Sequence, residues 1–513
     1  MKRLTPVFIL SLIVSVLFIL WGALPKSIIG SANLSNVTTL IHGFIIEKFG
    51  WFYLLTASFF LIFAIGLIFT KYGSIKLGND DDEPKYSYLS WFAMLFSAGM
   101  GIGLVFWGVS EPMNHYSAPP SGEGFTDESA RAAMRYSFFH WGLHPWAIYS
   151  VIALSLAYFT FRKNQNGVIS NILRPLIGDR ADGKAGVLVD FLAVFATIFG
   201  VATSLGLGAI QISAGVSYLF DGISNTFSTQ LIIIVIVTFL FMLSAQTGLD
   251  KGIKILSNVN IILAIALMLF LLFAGPTNFI MDLFTTTIGG YLQNLTYMSF
   301  RLTPFNEEST WVQDWTIFYW AWWISWAPFV GTFIARISRG RTIREFLIGV
   351  LAVPTIFGAL WFSVFGGSAL YLQHFMKKPI MDIVNDKGME VALFAVLEQF
   401  PFGMFMSLLA ILLISTFFIT SADSATFVLG MQTTDGDLNP PNKIKFIWGF
   451  IQSAAAAVLL WIGGLEALQR ASIIAALPFA VIMILMVISL MKSLRREKFP
   501  VMNRTETKKD TLS

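Results

Sequence analysis

Residues 314–326 read DWTIFYWAWWISW, and six of the fifteen Trp in the chain lie between Trp311 and Trp326. No charge follows Asp314 within this stretch, so a helix made from it is apolar all round and belongs inside a protein or a bilayer. Tyr319, Trp322, Trp323 and Trp326 fall at i, i+3, i+4 and i+7, which puts four rings on one helical face. Trp311 and Trp315 suit an interfacial belt, whereas the other four run deeper than headgroups reach. A buried wall of ring faces suits a cation with no hydrogen to donate, such as trimethylammonium. Each desolvated ring contributes up to about 2 kcal/mol to such a cation. Plain ring packing is the other reading of the same pattern.

Outward from this stretch, the composition requires lipid as solvent. The 513 residues are 56% hydrophobic and only 12% charged, with a mean hydropathy of +0.71, more apolar surface than a soluble domain can hide. The absence of Cys excludes disulfides and thiolate chemistry, and five His make a His-rich metal site a poor expectation. No GxxxxGK[ST], HExxH or paired GxGD motif occurs, which argues against ATP-driven transport by this chain alone and against an intramembrane enzyme. In this setting the net charge of +4 reports topology; no nucleic-acid partner is expected.

Apolar runs of roughly 20 residues, each able to cross about 30 Å of hydrocarbon, recur twelve times. They lie near 6–25, 51–70, 90–109, 138–161, 187–212, 229–248, 256–279, 314–337, 345–372, 403–433, 444–463 and 470–492. The first follows Lys2-Arg3 without a small-residue cleavage site and reads as an uncleaved span. Of the 34 Lys and Arg, 25 fall on the side holding both ends of the chain and 9 on the other, which places both termini in the cytoplasm. The sharpest basic cluster, Arg336 to Arg344, reads as a positive-inside anchor. Residues 280–300 are too polar to span and predict an amphipathic surface helix. The C-terminal residues 493–513 form a short basic tail suited to anionic lipid.

Three polar features sit at bilayer depth. Gly99, Gly101 and Gly103 alternate, and each weakens a helix by about 1 kcal/mol relative to Ala. This predicts either close helix packing or a broken helix whose freed carbonyls bind a cation. Glu111-Pro112 reads as the end of that span. Trp141, Trp146 and Tyr149 form a second aromatic set, with Pro145 expected to disturb the helix between them. Phe417 to Ser424 (FFITSADS) sets hydroxyls beside an acid, expensive in lipid unless they bind one another or an ion. In the fifth run, Asp190, Thr197, Thr203 and Ser204 read as packing.

DWTIFYWAWW, continued by WISWAPFVGTFIARISRGRTIREF, resembles the signature of the betaine/choline/carnitine transporters. FHWGLHPWAIY, SLGLGA and FFITSADS extend the resemblance over nearly the whole chain, which looks most like the sodium-coupled glycine betaine systems of Gram-positive bacteria. The resemblance implies an all-α polytopic membrane protein with twelve transmembrane helices. It implies a LeuT-like core of two inverted five-helix repeats, residues 90–279 (spans 3–7) and 314–492 (spans 8–12). Two N-terminal helices (1–89) precede the core, and 280–313 links the repeats. A homotrimer in membrane lipid is the implied assembly.

Carried over by position, the resemblance implies a substrate box of Trp141, Trp146, Tyr149, Trp322, Trp323 and Trp326, with Phe318 on the access path and Gly99, Gly101 and Gly103 beside it. It implies one sodium between spans three and ten, on carbonyls around Ser97 and Met100 and on Phe417, Thr420 and Ser421. A second sodium would use Thr197 and Phe329; its remaining Thr position is Val201 here, with Thr203 and Ser204 nearby. Gly103 stands where proton-coupled choline carriers have Asp, and Asn260 where a sodium-independent carnitine exchanger has Arg. Both imply sodium-coupled uptake of glycine betaine, with sodium as coupling ion and no other cofactor. A choline or carnitine carrier, or a channel or sensor, are the alternatives.

Overall fold

Prolines, caps and glycines decide where the apolar runs become helices. The computed structural model describes residues 4–99, 101–247, 252–306 and 309–497, without the side chains of 96–99, 245–247 and 252–254. Thr5 accepts from Phe8 N and Pro6 occupies the first helical position, where its missing N–H costs nothing. The first helix, α1, is Pro6–Ala23, and α2 is Leu34–Phe69, capped by Asn33. The glycine-rich third run gives two helices, α3 (Tyr88–Gly99) and α4 (Ile102–Ser117), with Gly101 between them at φ −139°, ψ −144°. Of the two readings of the alternating glycines, the broken helix is the one the backbone adopts.

The fourth run also breaks, at a different residue from the one expected. Gly142, not Pro145, separates α5 (Asp127–Trp141) from α6 (Leu143–Ala157). A Cβ at Gly142 would lie 2.4 Å from Phe138 O and 2.9 Å from Tyr291 Oη, so only glycine admits this crossing. Pro145 sits in the first turn of α6, where helix N–H groups lack partners anyway.

Beyond these come α7 (Lys184–Leu219), α8 (Phe227–Thr247), α9 (Gly252–Ala274) and α10 (Thr277–Ser299). The last covers the stretch expected as a surface helix, and it buries Ile280, Thr287, Tyr291 and Met298 along one face against α5 and, once the chain has passed α11 (Phe318–Ile337), against α12 (Ile343–His374). Finally, α13 spans Gly403–Gln432 and α14 Asn442–Leu494. Gly463 and Gly464 (φ 56°, ψ −136°) interrupt α14 between the runs expected at 444–463 and 470–492; Gly464's backbone is one that L-residues avoid.

Among the described residues, nine helical stretches are long and apolar enough to cross a membrane. An isolated bridge pairs Lys76 with Thr342. The basic 336–344 segment does more than anchor. Arg341 is buried over Trp91 (4.0 Å to the ring centroid) and Tyr88 (4.5 Å) and donates to Tyr86 O, while Arg339 pairs with Asp82 at 3.0 Å. Rings of α4, α5, α6, α11 and α12 meet through Trp107–Tyr319, Trp141–Trp323, Trp141–Phe362 and Tyr149–Trp323, and Trp107, Trp146, Trp320, Trp322 and Trp361 are each 2% exposed or less.

Candidate functional site

The i, i+3, i+4, i+7 face of α11 becomes a stack of rings. Trp322 and Trp323 lie 4.7 Å apart and 16° from parallel, Tyr319 stacks on Trp323 at 5.8 Å, and Phe318 on Trp322 at 5.6 Å. Trp141, from the end of α5, closes on them edge-first, at 4.9 Å and 75° to Trp323 and 6.2 Å and 90° to Trp322. From α6, Tyr149 approaches Trp323 (6.1 Å) and Trp326 (6.4 Å). Trp146 contacts Tyr149 at 5.5 Å and joins the group through it. All six rings of the expected box are 5% exposed or less. Phe318, expected on an access path, is 1% exposed and belongs to the stack.

Three polar atoms interrupt this wall. Trp322 Nε1, Trp326 Nε1 and Tyr149 Oη are buried without a hydrogen-bond partner among the described residues. Trp107 Nε1, whose ring contacts Phe318 and Tyr319 of the same stack, and Trp320 Nε1 are unpartnered in the same way; buried donors are almost always paired, and an acceptor would satisfy them. Gly103 lies at the seam: a Cβ there would come 2.7 Å from Trp322 Cη2 and 3.1 Å from Trp141 Cη2. Gly103 is within α4 and not at positive φ; the rings, not the backbone, demand glycine.

Glu111 is not a helix terminus, as the Glu-Pro pair suggested. It lies inside α4, fully buried. Its Oε2 accepts from Trp141 Nε1 (2.7 Å) and Tyr319 Oη (2.6 Å), and its Oε1 meets His140 Nδ1 (2.7 Å) and His115 Nε2 (3.2 Å). His140 Nε2 reaches Thr316 Oγ1 at 2.9 Å, and the His140 carbonyl accepts from Trp323 Nε1 at 3.0 Å. Ligand-type atoms of Glu111, His115 and His140 lie within 4.8 Å of one another, but hydrogen bonds already join them. Trp311 and Trp315, expected at an interface, are half-buried against His115 at 4.8 and 4.4 Å.

The residues expected to hold sodium are partly gathered. Met100 lies outside the described residues, as do the side chains of Ser97 and Gly99's neighbours up to it. Across the break, a Cβ on Gly101 would stand 3.6 Å from Ser421 Oγ of α13. Thr420 Oγ1 donates within its own helix, to Thr416 O (3.0 Å), and accepts from Asn260 Nδ2 (3.0 Å). Asn260 Oδ1 is buried without a partner among the described residues, leaving a hard oxygen beside that hydroxyl. Phe417 is buried on the same helix.

For the second ion, Thr197 Oγ1 bonds Ala193 O and Gln432, and Phe329 packs on Trp326 at 5.7 Å. Thr203 is engaged elsewhere, with Leu468 O and Ser472 Oγ of α14, and Ser204 with Gly200 O. Asp190, read as packing, accepts from Ser170 N and Oγ.

Long apolar helices, two of them broken at glycines around a buried cluster of rings, define a polytopic helical membrane protein. Residues 6–499 match the BCCT family, the betaine/carnitine/choline family transporters, and the chain belongs to that family. It is 55% identical over 500 residues to the glycine betaine transporter OpuD of Bacillus subtilis (97% of this chain, 96% of that protein). It is 46% identical to a probable glycine betaine transporter of Desulfitobacterium hafniense (97% and 98% covered) and 45% identical to an ectoine/hydroxyectoine transporter of Virgibacillus pantothenticus (96% and 96%).

Proposed function

We propose that this chain takes up glycine betaine by sodium symport across the cell membrane. The observation that carries the reading is the buried ring cluster with its unpaired donors. Ring faces attract the trimethylammonium group, and Trp322 Nε1, Trp326 Nε1 and Tyr149 Oη suit the carboxylate of the same zwitterion. The relatives named as glycine betaine transporters support this substrate. Sodium would lie between the α3–α4 break and Thr420 and Ser421 of α13, stiffening the broken helix whose Gly103 packs against Trp322. Ions and substrate that favour the same closed state are thermodynamically linked, so the inward sodium gradient drives accumulation. Twelve spans, two inverted repeats, cytoplasmic termini and a trimer complete the proposal.

Ectoine is the second reading, favoured by the 45% identical ectoine carrier and by donors that would serve any carboxylate. The deciding experiment is uptake of labelled betaine in cells without their own osmolyte carriers, with sodium or potassium outside and with unlabelled betaine, choline, carnitine or ectoine as competitors. Sodium-dependent uptake blocked best by betaine is expected. Equal uptake in potassium overturns symport; stronger block by ectoine or choline overturns the substrate.

A further inference from the structure

Three carboxylates among the described residues are buried: Glu111, Asp190 and Asp423. Asp190 is bonded to Ser170, and Asp423 accepts from Ser244; Glu111 is bonded to a ring of the box itself. The indole of Trp141 meets the Trp322–Trp323 stack nearly at right angles, an orientation that two free side-chain torsions would not hold alone. A charge-assisted hydrogen bond at its N–H edge holds it. The same oxygen, Oε2, takes Tyr319, whose ring stacks on Trp323. Through Oε1 the carboxylate grips His140, whose far nitrogen is tied to Thr316 and whose carbonyl holds Trp323 Nε1. A single side chain of α4 thereby links α5 to α11 behind the box. An indole that donates to an anion also gains electron density on its ring face, which strengthens its attraction for a cation.

We infer that Glu111 is the positioning residue of the aromatic box, setting the angle and the ring-face charge of Trp141 and thereby the affinity for the substrate's quaternary ammonium. This rests on reading the box as the quaternary-ammonium site. Glutamine removes the negative charge from the bond to Trp141, and it keeps an acceptor for Trp141 and Tyr319 only if its amide nitrogen faces His140 and His115, whose rings must then accept.

The test is a double-mutant cycle on betaine uptake at saturating sodium, with the amount of protein in the membrane measured for each variant. Glu111→Gln should raise KM about tenfold and leave kcat within about twofold, the signature of lost binding. Trp141→Phe keeps a ring but has no N–H to give. In that background Glu111→Gln should change KM by less than about twofold, because coupled sites are not additive. Equal factors in both backgrounds, or a fall in kcat at constant KM, overturn the proposal. Should Glu111→Gln fail to reach the membrane, Tyr319→Phe removes one donor from the same oxygen and spares the carboxylate. It should raise KM about threefold in the wild type and not in Trp141→Phe; equal factors again overturn the proposal. Trp326→Leu separates the two readings, since this ring has no bond to Glu111. If it leaves KM unchanged, the box itself is misread; if it raises KM while Glu111→Gln does not, only the role of Glu111 fails.

Discussion

The aromatic box and the face of α13 approach the same glycine break two residues apart, at Gly103 and at Gly101, and they are built of different material. At Gly103 the neighbours are indole rings whose positions are over-determined: stacked on one another, wedged by Trp141 and hydrogen-bonded behind to Glu111. At Gly101 the neighbour is the hydroxyl of Ser421, and the nearby Thr420 hydroxyl trades hydrogen bonds with its own helix and with Asn260. A ring face binds a cation through a fixed quadrupole, so the box must be rigid before substrate arrives. Hydroxyl and amide oxygens can turn from a helical carbonyl to an ion, so the other region can exchange an internal bond for a ligand. On the function proposed above, substrate recognition would be preformed and ion recognition built by rearrangement.

Gly103 is where this contrast breaks most completely. A side chain must displace Trp322 or Trp141, so Gly103→Asp should reduce uptake of betaine and choline alike by about a hundredfold or more, as overpacking against fixed neighbours does. Side-by-side uptake assays check this; a variant that loses betaine and gains choline would show that the rings yield and that the acid reaches the substrate. Next in size is Trp326→Leu, which keeps the volume apolar but removes a ring. A loss of about 1–2 kcal/mol of cation–π energy corresponds to a rise of about 5- to 30-fold in betaine KM. An unchanged KM in a well-inserted variant would remove Trp326 from the box.

On the ion side the effects are smaller and shift variable. Thr420→Ala and Ser421→Ala should each raise the sodium concentration for half-maximal uptake about three- to tenfold, with betaine affinity at saturating sodium nearly unchanged. Sodium titrations of uptake measure it, and wild-type sodium dependence would mean these hydroxyls serve only Thr416, Asn260 and the helix. The smallest effect lies far from both regions, where Glu497 receives Arg162, Lys163 and Tyr158. Burial acts to raise its carboxyl, but those hydrogen bonds outweigh it and bring the group down to about 2. A depressed carboxyl stabilises the folded state above the unfolded value of about 4.3 and loses that contribution as pH falls toward the folded value. Thermal unfolding of purified protein between pH 4.5 and 2 should therefore decline less steeply in Glu497→Gln, with uptake at neutral pH unchanged.

Much of the box was legible because it is periodic. Four aromatic residues spaced along one helical face must share that face in any fold that keeps the helix, and the FHWGLHPWAIY stretch supplied the second wall by resemblance. The alternating glycines were legible only as a weak point, to be broken or closely packed, because a helical glycine's cost is small enough for tertiary context to decide between the two. Glu111 was misread for a similar reason: Glu-Pro ends many helices, and nothing adjacent in sequence reveals that His140, Trp141 and Tyr319, 29 to 208 positions away, converge on it. Pro145 was credited with a break that belongs to Gly142, where the Phe138 carbonyl of the preceding turn and Tyr291 of another helix together leave no room for a Cβ. Likewise Thr203, adjacent to the expected ion ligands in sequence, turns to Ser472 once α14 packs against α7. By itself the sequence determined an apolar helical bundle and the aromatic face of α11, because helix periodicity is a local property, and it narrowed the alternating glycines to a break or a packing seam. Only the tertiary structure decided which donors stay unpaired inside the box and which carboxylate holds its walls, because hydrogen-bond satisfaction in a buried site depends on groups that the chain brings together from far apart.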